Sequence, residues 1–381
     1  MTPANPKLLR TKDWCLIGLL WLTTQLFLLF YLGINNRQEA VKYIGWSNDW
    51  ISGVRNFPLN VIFYSGYIAI HVLLRSIGLP VKSIYLVQLF LSAVTIYYFV
   101  KILSLWIKSR PVLVFSAILY ATCVIIQQYT SYLYTDSAFC NLLLIATWYL
   151  LVEDSGPRQK IIFWAFLVLL PFFRPVGFLF SLMACLYWLF LPARLNWIKI
   201  LISLLYIAFI GLLIQKSFTE SPNFYYPLHN IDATIICGYP SDLLQYQKVP
   251  YHEGMGIFSY FFHNPGIAIR LFSYRLFNVF SMTRPYFSTG HNLSLIIPTL
   301  LYCLLGLTGL VHILWRKKKR EYLLLAGILI FSIPGVVFCD DWSGRFSLPV
   351  YCFVLLAAGI GADRLYSRFF RGKTTLPADQ A

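Results

Sequence analysis

The chain has 381 residues, of which 58% are hydrophobic, 18% aromatic and only 12% charged, with a mean hydropathy of +0.65. Soluble domains carry about 25% charged residues, so this composition excludes a water-soluble enzyme. It points to an integral membrane protein built from helices, because backbone polar groups in lipid must be satisfied within each segment.

A formal charge of +16, from 31 Lys and Arg against 15 Asp and Glu, would suggest nucleic acid in a soluble domain. Here the densest cluster, Arg316-Lys317-Lys318-Lys319-Arg320, lies between two apolar runs, where a cytoplasmic loop anchor belongs. Nucleic acid is therefore not an expected partner; membrane lipids are.

The first apolar run, Trp14 to Ile34, follows Lys7, Arg10 and Lys12 and lacks a small-residue cleavage site, so it reads as a retained signal anchor. Further apolar runs lie near 82–106, 111–128, 138–152, 161–173, 175–192, 198–216, 293–315, 321–339 and 346–366. A helical span takes about 20 residues, and these runs make about ten crossings. The stretch 59–79 is apolar too, and charge decides its place. Were it to cross, the basic loops at Lys108/Arg110, Arg158/Lys160 and Arg194/Lys199 would all face outward. Held at the outer face, it leaves them all cytoplasmic, with 18 Lys and Arg close to helix ends inside and 12 spread over longer loops outside.

The expected fold is all-α, a polytopic transmembrane bundle with both termini cytoplasmic. Residues 1–216 form an N-terminal module whose first outer loop, 35–81, carries surface-lying helices. Residues 217–292 form a large extracytoplasmic loop, and 293–381 supply the last helices and a basic tail. In the large loop, Pro222, Pro227, Pro240, Pro250 and Pro265 predict irregular chain before an amphipathic helix over Gly266 to Phe280 that carries Arg270 and Arg275. The eight cysteines, mostly inside apolar runs and without a CxxC pair, read as small core residues.

Charged groups beside a bilayer are costly and need a reason. Asp49, in GWSNDW, reads either as a solvated side chain in an interfacial tryptophan belt or as a general base in an aromatic-walled cleft. Asp136, in YTDS, opens an apolar helix, so it is a helix cap, a cation-binding carboxylate, or both. Arg174, in PFFRPVGF, calls for an anion. Arg345, which follows Asp340 and Asp341, joins Arg270, Arg275 and Arg284 as outer-face arginines. These either form salt bridges with Asp340, Asp341, Glu220 or Glu253, or bind a phosphate through the guanidinium fork. His252, His263 and His291 have no metal-ligand spacing.

From the first helix to about Trp188, and again near the last helix, the chain resembles the GT-C superfamily of polytopic glycosyltransferases, whose donors are polyprenyl-phosphate sugars. It is most similar to the protein mannosyltransferase and aminoarabinose transferase groups. The resemblance rests on Asp49 followed by FPLNVIFYSGYIAIHVLLRSIGLP, on VQLFLSAVTIYYFVKIL, on YLYTDSAFCNLLLIATWYLL, on FFRPVGFLF and on GRFSLPVYCF. It implies an inverting transferase at the extracytoplasmic face of a bacterial inner membrane, moving sugar to a lipid, glycan or protein acceptor. By the same resemblance Asp49 is the catalytic acidic residue, Asp136 its support, and Arg174 and Arg345 the lipid-phosphate ligands, joined by Arg270 or Arg275. A divalent cation at Asp49 and Asp136 is the one cofactor it raises. Two departures, Asn48-Asp49 in place of an acidic doublet and Phe57 before Pro58 in place of a basic residue, weaken the metal and leave the donor open. The rival readings are a flippase or transporter of a lipid-linked saccharide and a polysaccharide polymerase or ligase centred on an arginine such as Arg284.

Overall fold

The computed structural model describes residues 9–152, 155–190, 197–220, 262, 265–316, 319–337 and 344–371. Among these residues the chain is all-helical; the one β-bridge joins Asn35 to Tyr132. The irregular half of the large outer loop, and with it His252, His263, Glu253, Asp340 and Asp341, lies outside the described residues. The helix expected over Gly266 to Phe280 runs Pro265–Ser281.

The first helix, α1 (Thr11–Leu32), starts where Asp13 accepts the Arg10 backbone N–H at 2.7 Å and stops at Gly33, whose φ of 64° is a left-handed conformation. Asp13 also takes a fork from Arg110, Nε and a terminal nitrogen each at 2.7 Å. That pair ties the start of α1 to the start of α5 (Arg110–Ala121).

Between them come α2 (Glu39–Ile51), a 3-10 segment Leu59–Tyr64 leading into α3 (Ser65–Ser76), and α4 (Ile84–Ser104). Pairings along α4 fix its direction. Trp14 packs near Tyr97 with ring centroids 6.0 Å apart, and the Trp21 indole donates to Ser92 at 3.1 Å. The residue number falls on α4 as it rises on α1, so the two helices are antiparallel. The chain therefore leaves α1 and re-enters α4 at the same end of the bundle, and residues 33–83 make no net traverse. Within that stretch, Leu59–Ser76 is itself long and apolar enough to span.

The bundle continues with α6 (Val124–Gln127), bent 43° from α5, and then α7 (Thr135–Val152). Helix α7 runs parallel to α4: Gln88 donates to the Tyr134 carbonyl at 3.0 Å, and the Tyr98 and Tyr149 hydroxyls meet at 3.1 Å. Gln25 and Ser92 converge on Gln127, whose Oε1 accepts from Gln25 at 2.6 Å and from Ser92 at 2.9 Å, while Trp21 donates to Ser92. In lipid such a polar knot fixes which helices neighbour one another, since its groups have no water to turn to.

The remaining described helices are α8 (Pro157–Leu169), α9 (Phe178–Phe190), α10 (Trp197–Glu220), α11 (Pro265–Ser281), α12 (Thr289–Arg316), α13 (Tyr322–Val337) and α14 (Leu348–Tyr366). Seven helical stretches of the described chain are long and apolar enough to cross a membrane, or eight if the bent α5–α6 pair is one span. That number is smaller than ten. Of the runs at 175–192 and 321–339 the described residues form the apolar helices Pro175–Leu189 and Tyr322–Val337, with 191–192 and 338–339 outside the described residues, and the run at 161–173 is a 13-residue helix finished by a 3-10 turn.

Helices α12 and α14 approach backbone to backbone. A Cβ added at Gly309 would lie 2.0 Å from the Ala357 carbonyl oxygen, and one at Gly361 would lie 2.0 Å from that of Leu305. Glycine is required there because the obstacle is main chain, which cannot rotate away. Gly309→Val should cost at least about 1–3 kcal/mol, read as a lower thermal unfolding midpoint of the detergent-solubilised protein. An unchanged midpoint would contradict the close approach.

Candidate functional site

Four segments meet at the end of the bundle where α7 begins. Asp136 lies in the first turn of α7, fully buried, where the helix dipole favours a carboxylate. It forms an ion pair with Arg174, whose side chain is only 7% exposed. Arg174 is held by a fold in FFRPVGF: the chain turns back on itself so tightly that a Cβ at Gly177 would sit 2.4 Å from the Leu170 carbonyl. The motif's glycine thus sets the arginine.

The Arg174 guanidinium carbon lies 5.7 Å from the centroid of Phe346, and that of Arg345 lies 5.7 Å from the same ring. One phenyl ring therefore serves two cations. Arg345 lies 3.8 Å from Glu39, beyond hydrogen-bond distance but close enough to pair charges, while Lys42 approaches the same carboxylate oxygen at 2.8 Å. Glu39 is the first residue of α2. It follows Gln38, whose φ of 56° is unusual for a residue with a side chain, and the Tyr134 hydroxyl holds that glutamine by donating to its Oε1 at 2.7 Å.

The floor is aromatic. Tyr43 packs on Tyr64 and Tyr67 with centroids 5.5 Å away in each case, and Trp46 stacks on Tyr64 at 5.9 Å. Tyr43 and Tyr64 both lie within the electrostatic reach of Arg345, Glu39 and Asp136. Burial, reinforced by Tyr64, pushes the Tyr43 phenol well above its ordinary range, so it stays neutral. Beside Asp136 a small cavity is lined by Ser92, Gln127, Ser137 and Asn141 together with the apolar Ile126 and Leu348. The hydroxyls of Thr135 and Ser347, next in sequence to Asp136 and Phe346, are buried with no hydrogen-bond partner among the described residues.

Of the residues singled out from sequence, Asp136, Arg174 and Arg345 come together. Asp49 does not join them: it is exposed on α2, six residues past Tyr43 and so roughly 120° around the helix from it. Glu39, four residues before Tyr43, lies within about 40° of that inward face. Sequence reasoning passed over Glu39, although reading the buried positions Ala40, Tyr43 and Ser47 as a helical face would have separated the two acids.

Arg270 is exposed on α11. Arg275 is fully buried and donates to the Val337 and Val336 carbonyls at 2.8 and 3.4 Å, in the last described turn of α13. Arg284 likewise bonds Asn278 and the Thr283 carbonyl, each at 2.8 Å. His291 stacks on Phe287 with centroids 4.2 Å apart. A divalent cation does not fit this donor set: Asp49 and Asp136 are apart, each acid of the cluster already faces a cation, and no group of three His, Cys, Asp or Glu assembles among the described residues.

Gly344 controls the approach to Arg345. Its φ of 76° is left-handed, and a Cβ there would lie 2.7 Å from an Arg284 terminal nitrogen. Gly344→Ala is expected to cost about 1–2 kcal/mol from backbone strain alone and to displace Arg345. The substitution should lower activity more than it lowers the amount of folded protein, which detergent size-exclusion and a transfer assay would separate.

Comparison of the chain with protein-family models, curated proteins and solved structures yields no match.

Proposed function

We propose that the chain is an inverting glycosyltransferase of the GT-C kind, taking a sugar from a polyprenyl-phosphate carrier at the extracytoplasmic face of a bacterial inner membrane. The observation that carries the reading is the pair of arginines, Arg174 and Arg345, on one phenyl ring with a buried carboxylate on one side and a half-exposed one on the other. A phosphate needs the first feature and a hydroxyl nucleophile the second. In this reading the protein makes ten crossings, 59–79 stays at the outer face, both termini are cytoplasmic, and the site opens to the outer leaflet.

Arg345, with Arg174 beside it, holds the lipid phosphate, and the buried hydroxyls of Thr135 and Ser347 are further donors nearby. Asp136 keeps Arg174 in place and tempers its charge. As the donor phosphate draws Arg345 from its 3.8 Å contact, the Glu39 carboxylate is left to face the acceptor hydroxyl. Glu39 takes the proton of the acceptor hydroxyl, whose oxygen attacks the anomeric carbon in line. The bond from that carbon to the phosphate oxygen breaks, and polyprenyl phosphate leaves with the electron pair. Glu39 here takes the part that sequence gave to Asp49, because Asp49 stands on the other side of α2.

The test is to incubate purified protein with a panel of polyprenyl-phosphate sugars and acceptors and to assay free polyprenyl phosphate. Release with at least one donor, dependent on an acceptor, is expected. Binding of lipid-linked sugars without any release would overturn the reading in favour of a carrier.

A further inference from the structure

At the opposite end of α7, one cation is held by aromatic rings alone. The Lys101 ammonium lies 4.7 Å from the centroid of Tyr97, 5.0 Å from that of Trp148 and 5.7 Å from that of Tyr98. Trp148 follows Asp136 by twelve residues, which places this cage about 18 Å along the helix from the candidate site. Trp14 closes one side against Tyr97, and the Tyr98 and Tyr149 hydroxyls pair at 3.1 Å, which leaves one O–H able to donate elsewhere. Arg158, exposed on α8, is within electrostatic reach of Tyr98. Lys101 has no carboxylate partner among the described residues. Rings orient an ammonium but leave its charge uncancelled, and at the edge of the hydrocarbon that charge calls for an anion.

The surroundings say which anion. Phe90 and Tyr97 precede Lys101 by eleven and four residues, so all three fall on one face of α4. Phe90 is 67% and Tyr97 38% exposed, and Leu86, close to the same strip, is 62% exposed. An apolar track ending at a fixed cation matches an acyl chain ending at a phosphate. We infer that Lys101 and its aromatic cage, with Arg158, bind the phosphate of an anionic phospholipid in the leaflet opposite the candidate site. The acyl chain lies along Phe90 and Tyr97.

The test is native mass spectrometry of the full-length, delipidated protein titrated with phosphatidylglycerol or phosphatidylcholine. Wild type should retain phosphatidylglycerol about fivefold better than phosphatidylcholine, the effect of one basic side chain at a membrane surface. Lys101→Gln should lose that preference, Lys101→Arg should keep it, and Lys82→Gln, a substitution elsewhere on the chain, should leave it unchanged. Should Lys101→Gln fail to fold, as judged by circular dichroism, Arg158→Gln at an exposed position gives the same reading through a reduced preference. Equal retention of both lipids by wild type, or an unaltered preference in the folded Lys101→Gln or Arg158→Gln protein, overturns the inference. Inorganic phosphate that displaces phosphatidylglycerol completely would show an ion site without the acyl track.

Discussion

Glu39→Gln is expected to reduce sugar transfer by about 10²–10⁴-fold, the usual contribution of a positioned base, while the protein stays folded in detergent. Its contacts support that separation, since Glu39 is only partly buried and meets Lys42 and Arg345 through charge rather than packing. Asp49→Asn should leave turnover within a few-fold of wild type, because that carboxylate is exposed and no described side chain bonds it. The two variants, assayed side by side for polyprenyl phosphate release, give opposite results under the two assignments. Full turnover by Glu39→Gln with loss in Asp49→Asn would return the role to Asp49.

The second large effect concerns stability. Asp136→Ala would remove the carboxylate of a nearly water-free ion pair and strand the Arg174 guanidinium, whose side chain is 7% exposed. Breaking a buried pair from one side costs about 3–5 kcal/mol, enough to lower the thermal midpoint of the solubilised protein markedly. The pair replaced together, as Asp136→Asn with Arg174→Gln, should recover part of that loss, since neither charge is then left alone. A double variant no more stable than Asp136→Ala would mean that the two groups do not act as a pair. Both variants should lack activity. Stability and turnover therefore part company in the double variant.

Much of this was readable before any fold was known. Asp136, Arg174 and Arg345 stood out because charge is scarce beside apolar segments, and the same energetic cost brings them together. Loop charge sets the expected place of 59–79, although one crossing more or fewer moves every later basic loop to the other side. The bonds of Arg275 to two carbonyls 61 and 62 residues away were out of reach, since only tertiary packing brings those groups near. Asp49 took the catalytic role from the family resemblance, and Glu39 was not considered; which of the two faces inward depends on the helical face, which neighbours in sequence do not share.

The parallel bridge between Asn35 and Tyr132 gives the two acids a common ruler. Asn35 donates to the Ser131 carbonyl at 2.8 Å and accepts from Leu133 at 3.0 Å, and Glu39 and Asp136 each stand four residues beyond a bridged position. Their spacing is thus written in main-chain hydrogen bonds that carry no net charge and do not titrate. An amide can replace either carboxylate without loosening that ruler, and salt or pH can alter the chemistry at this end of the bundle while the geometry stays put.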